Sequence, residues 1–177
     1  GALTDGAQRP PRPRTAPRPA PAVRAGAVGG YRYIHHAIDD YSRVVYSEIL
    51  DDERKEAAAG FIQRAHAFFK GLGITVQAVM TDNGACYRSR AFNQVLSAAG
   101  VKHRYTRPYR PQTCGKVERF NRTVARQWAY AHTWTSQTQR EAAYQTWLHH
   151  HNHHRPHTAL GGQTPASRIH NLTGKYN

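Results

Sequence analysis

The chain has 177 residues, enough for one domain of ordinary size plus a tail, and a formal net charge of +14. No apolar run is long enough to span a bilayer and no signal-peptide pattern opens the chain, so no membrane role is expected. Two cysteines, Cys86 and Cys114, are too few for a disulfide framework and match no zinc spacing, which leaves idle thiols in a reducing cytoplasm as the expectation.

The charge is unevenly spread. Residues 1–30 hold five arginines against one acid, Asp5, and residues 31–82 carry a net −2. From residue 83 onward fourteen Lys and Arg face only Glu118 and Glu141. A basic half of this size suits a polyanion, most simply nucleic acid, through phosphate neutralisation and counterion release. A merely soluble basic protein carries similar charge, so charge alone leaves both open.

Residues 1–30 hold six of the ten prolines among Ala, Gly and Arg, with no aromatic and no sustained period, and read as a disordered tail. Residues 31–38 and 44–50 are β-branched and aromatic, and Asp39-Asp40-Tyr41-Ser42-Arg43 separates them as a hairpin turn. Asp51 or Asp52 is expected to cap a helix with a stripe of Ala57, Phe61, Ala65, Phe68 and Phe69, ending at Gly71 or Gly73. A strand over 75–80 runs into the turn signal Asp82-Asn83-Gly84. A helix over 89–99 buries Phe92, Val95 and Leu96 and stops at Gly100, and a strand follows over 101–106. After the loop 107–115, Lys116 opens a long helix with the stripe Val117, Phe120, Val124 and Trp128. A last helix spans 137–150. Strands first, then alternating helix and strand, predict an α/β domain with a mixed sheet.

Asp82 falls just beyond the carboxyl end of a predicted strand, where open α/β sheets place ligands. Glu118 falls in the first turn of the long helix, on the border between its apolar stripe and a basic face of Arg119, Arg122 and Arg126. A carboxylate at the rim of a basic groove suits phosphoryl transfer, with acids holding a divalent ion and cations holding the backbone. Singly, each acid has a plainer explanation. Asp-Asn-Gly is an ordinary turn, and an acid in a first helical turn offsets the helix dipole.

In combination they are distinctive. Thirty-five residues separate Asp82 from Glu118. Met80-Thr81-Asp82-Asn83-Gly84, followed by Arg107-Pro108-Tyr109-Arg110-Pro111-Gln112-Thr113-Cys114-Gly115-Lys116-Val117-Glu118-Arg119-Phe120-Asn121-Arg122, resembles the integrase catalytic core of bacterial insertion-sequence (DDE) transposases, relatives of retroviral integrases. Trp147-Leu148, Asn152, Arg155-Pro156-His157-Thr158-Ala159-Leu160 and Thr164-Pro165 resemble the ending usual in that group.

The resemblance implies a ribonuclease-H-like mixed sheet flanked by helices over residues 31–172. It implies DNA transposition or integration by metal-dependent phosphodiester hydrolysis and strand transfer. Two Mg²⁺ or Mn²⁺ ions would sit on an Asp-Asp-Glu triad, with Asp82 as the second acid and Glu118 as the third. Lys116, Arg119, Arg122 and Arg126, with Arg107 and Arg110 in the preceding loop, would contact double-stranded DNA. Gly115 would keep that loop open. A homo-oligomer on DNA in a bacterial cytoplasm is the implied setting.

The family's first acid lies on an opening strand upstream of the hairpin, and nothing in residues 1–30 resembles that strand. Asp5 sits in the tail, while Asp39 and Asp40 belong to the hairpin turn. The first catalytic acid is therefore unassigned. Loss of that strand by frameshift or a misassigned start accounts for the Arg/Pro/Ala/Gly mixture, and impaired catalysis is expected. A non-catalytic DNA-binding remnant or an unfolded pseudogene product is the alternative. His149, His150, His151, His153, His154 and His157 are expected to form a solvated surface rather than a metal site. Among the aromatic residues, Tyr109 is the candidate for base stacking.

Overall fold

The computed structural model describes residues 32–106 and 115–173. The tail over 1–30 and the loop carrying Arg107, Tyr109, Arg110 and Cys114 lie outside the described residues.

The hairpin forms as expected. Strand β1 (Tyr33–Ile38) pairs antiparallel with β2 (Val45–Leu50), in a register running from Tyr33 opposite Leu50 to Ile38 opposite Val45. Asp39 closes the turn, its Oδ2 accepting from Ser42 N and Ser42 Oγ at 2.7 Å each, and Arg43 takes a left-handed φ of 67°. Alternation sends successive side chains to opposite faces. Ala37, Tyr46 and Leu50 join one apolar cluster, while Ile34, Ile38, Val45 and Ile49 join a second on the other face. The hairpin is therefore the middle layer of the fold.

Helix α1 (Lys55–Gly71) covers the first face, burying Ala58, Phe61, Ile62, Ala65 and Phe69. Neither Asp51 nor Asp52 caps it. The cap position is Arg54, and Asp52 Oδ1 instead accepts from Arg54 N at 2.9 Å, which uses the carboxylate one step before the helix. Gly73, at φ 78°, ends the helical segment, and Ile74 N donates back to Phe69 O. That bond holds the next residues off the sheet, so β3 (Ala78–Thr81) starts later than expected. A short helix α2 (Ala85–Arg88), not anticipated, precedes α3 (Arg90–Ala98), whose cap Ser89 accepts from Phe92 N. Strand β4 (Lys102–Tyr105) then pairs parallel with β3.

The second face is covered by α4 (Gly115–Val124), which runs on through a π-helical turn over Ala125–Ala129, and by α5 (Gln137–His153), capped by Ser136. Phe120, Val124 and Trp128 are buried as the stripe requires, but Val117 is 36 % exposed. The ring contacts of this helix with the hairpin begin at Phe120, edge-on to His36 at 4.8 Å, one turn beyond Val117. A 3-10 turn (Thr158–Leu160) and α6 (Pro165–Thr173) complete the fold.

One expectation is met only in part. Both strand polarities of a mixed sheet are present, but the described strands form two separate pairs, β1–β2 and β3–β4, with no ladder joining them. Apolar packing connects the pairs instead, because Ala37 and Tyr46 of the hairpin and Val79 of β3 all pack against the α1–α3 cluster.

Candidate active site

Strand β3 delivers Asp82 to its carboxyl end. The Asp82 side chain is exposed, and its Oδ1 accepts from Gly84 N at 2.8 Å. A Cβ at position 84 would lie 2.9 Å from that same oxygen, so glycine is what lets the backbone approach the carboxylate so closely. Asn83 Nδ2 donates to Thr106 O at 3.0 Å, tying the turn to the end of β4. Beneath, Thr81 Oγ1 and His103 Nε2 are 2.9 Å apart, and His103 Nδ1 bonds Asn93 Oδ1 at 2.7 Å. Burial lowers the pKa of His103.

Helix α4 presents Glu118 in its first turn, exposed, with Arg119, Arg122 and Arg126 exposed along the helix and its π-helical continuation. Lys116 is not a free cation, since its Nζ pairs with Asp40 Oδ1 in the hairpin turn. The same pairing engages Asp40, as the Ser42 bonds engage Asp39, so both turn acids have structural employment. Sequence reading missed this link, because nothing local connects residues 76 positions apart.

Among the described residues, no group of three His, Cys, Asp or Glu side chains is placed to hold a metal ion. Asp82 and Glu118 supply carboxylate chemistry suited to a hard cation, but the described residues do not complete a triad. The histidines of α5 divide. His149, His150, His153 and His154 are exposed, as a solvated surface requires. His151 is only 4 % exposed, packed on Phe120 and Trp147 at 5.0 and 5.3 Å, and so belongs to the core. His157 is half-buried, edge-on to His151 at 4.7 Å. The spacing of buried positions along α5, Arg140, Tyr144, Leu148, His151 and Asn152, is the signal that would have found it. Cys86 is a free, half-buried thiol whose pKa burial raises.

Comparison with known proteins gives a consistent result. An integrase core domain model matches residues 22–111, and a second model of the same description matches residues 99–165. The chain is 24% identical over 154 residues to a putative integrase ORF3 of Spiroplasma virus SpV1-C74, covering 80% of this chain and 42% of that protein. It is 30% identical over 129 residues to an insertion element IS476 protein of Xanthomonas euvesicatoria, covering 73% and 36%. The Pol polyprotein of transposon TNT 1-94 from Nicotiana tabacum is 35% identical over 99 residues, 55% of this chain and 7% of the polyprotein. The chain thus spans less than half the length of these curated relatives. The crystal structure of the BIV integrase catalytic core domain superposes with a TM-score of 0.65 at 26% identity, covering 83% of this chain and 91% of that one. The ribonuclease-H-like fold expected from the sequence is borne out by that superposition.

Proposed function

Because this chain belongs to the integrase core domain family, whose members act on DNA and generally depend on divalent metal ions, we propose that it is a DNA strand-processing domain of the transposition and integration type. Asp82 and Glu118 are its second and third acids, and Arg119, Arg122 and Arg126, with Arg107 and Arg110, are its DNA contacts, which Lys116 joins only by leaving Asp40. The observation that carries the reading is Asp82 held by Gly84 N–H at the carboxyl end of β3, in a chain whose later half is strongly basic. Two acids do not make the full triad. The reading therefore includes an impaired site, in which this chain binds duplex DNA and cleaves it poorly. A divalent ion in such a site supplies charge neutralisation of the phosphate. The chain's own contribution is to fix one carboxylate through Gly84 and to offer the arginines to the backbone.

The test is duplex binding across a salt series, with nicking measured in Mn²⁺. Steep salt dependence is expected, with faint nicking at most and none in Asp82→Asn. Absence of binding at low salt overturns the DNA-processing reading, and unchanged nicking by Asp82→Asn removes Asp82 from the site.

A further inference from the structure

A groove of about 780 Å³ lies at the amino-terminal end of β3 and β4, the far end of that sheet from Asp82. Lys70 from the last turn of α1 and Lys102 and Arg104 from β4 line it, with His66 one turn before Lys70. Among the described residues, no Asp or Glu lines it. Among the described residues, none of these three cations takes part in an ion pair. The carboxyl ends of α1 and α3 bring about half a negative charge each, so the groove keeps a net excess of positive charge.

Register extends the groove into a track. Ala78 stands opposite Lys102 and Met80 opposite Arg104, so all four project from one face of the β3–β4 pair. Among the described residues nothing covers that face, and Met80 is 47 % exposed. The opposite face packs on α3, where the Phe92 and His103 rings are 5.3 Å apart. Each two-residue step along a strand is roughly 6.6 Å. Cations at 102 and 104 therefore lead by equal steps to Thr106, whose carbonyl holds Asn83 beside Asp82.

We propose that this face is a second DNA path, which holds the phosphodiester backbone of one strand and leads it from Lys70 past Arg104 to Asp82. The inference rests on the DNA-processing reading above. The plainer account is that Lys102 and Arg104 guard an edge strand against pairing with other chains.

Two full-length variants separate these accounts, Lys70→Ala/Lys102→Ala/Arg104→Ala and Lys102→Gln/Arg104→Gln. The second keeps the edge polar, so it decides if the first aggregates. Binding to a fluorescent duplex is measured from 50 to 200 mM salt. The slope of log affinity against log salt should fall by about 0.9 for each phosphate no longer neutralised, hence by about 2 in the glutamine variant. A monodisperse glutamine variant with the wild-type slope overturns the path and leaves the edge-guard account. If wild type itself fails to bind, the DNA-processing reading falls and the path with it. If Arg122→Ala/Arg126→Ala lowers the slope while the glutamine variant does not, the path alone falls.

Discussion

The side-chain amide of Asn152 exchanges two hydrogen bonds with the backbone of Val45, Oδ1 accepting from N–H at 3.0 Å and Nδ2 donating to C=O at 2.8 Å. Among the described strands β2 pairs with β1 alone, so the amide serves its other edge. Asn152 is 6 % exposed and Val45 1 %. One amide thus satisfies two buried backbone groups and fastens α5 to the hairpin.

Removing it should be expensive. Asn152→Ala leaves a buried donor and a buried acceptor without partners, at about 1–3 kcal/mol each before relaxation. A loss of about 2–4 kcal/mol is expected in urea unfolding, with the slope of the transition unchanged. A loss under about 0.5 kcal/mol would mean that water replaces the amide.

The hydrogen bond between Asp82 and Gly84 makes a prediction through a mutant cycle. Asp82→Ala and Gly84→Ala should each cost about 0.5–1.5 kcal/mol by removing or displacing the same bond. The double variant should cost little more than either alone. Asp82→Asn keeps an acceptor oxygen and should be nearly neutral in stability. Full additivity in the cycle would show that the two residues are not coupled.

Acid should loosen the core through two histidines. Burial, with a smaller contribution from His35, lowers His36 from 6.5 to about 3. Burial, with His157, Arg155 and His150 adding, lowers His151 to about 3. Both rings are neutral in the folded state, whereas in the unfolded chain they take up protons near pH 6.5. Stability is therefore complete above about pH 6.5 and falls as pH drops from there toward about 3. Between about pH 7.5 and 5.5 the two together should cost about 2–3 kcal/mol. A His36→Gln/His151→Gln variant should show a flatter dependence over that range, and an equally steep one would assign the effect to other groups.

The arginines of α4 and its continuation make a binding prediction with no stability component. Arg122→Ala/Arg126→Ala removes two exposed cations with no ion-pair partner among the described residues, so unfolding should shift by no more than about 0.5 kcal/mol. Affinity for DNA should fall alike for every duplex sequence, and the salt slope should drop by about 0.9 for each phosphate that these arginines neutralise. Unchanged affinity and slope would leave them as solubilising charge.

The sequence by itself determined the features set by short-range forces. The β-branched and aromatic runs of β1 and β2, the turn between them, and the left-handed Gly73 and Gly100 that follow α1 and α3 all depend on hydrogen bonds and sterics within a few residues. Helical spacing likewise sufficed to expose Arg119, Arg122 and Arg126 and to bury Phe120, Val124 and Trp128. Only the tertiary structure decided what depends on neighbours far along the chain. Val117 is half-exposed because the helix's ring contacts with the hairpin begin one turn later, at Phe120, and His151 is buried because Phe120 and Trp147 enclose it. The pairing of Lys116 with Asp40, and of Asn152 with Val45, joins residues 76 and 107 positions apart. No local pattern encodes such pairings, since their partners are chosen by how β1 and β2 are sandwiched between α1 on one face and α4 and α5 on the other.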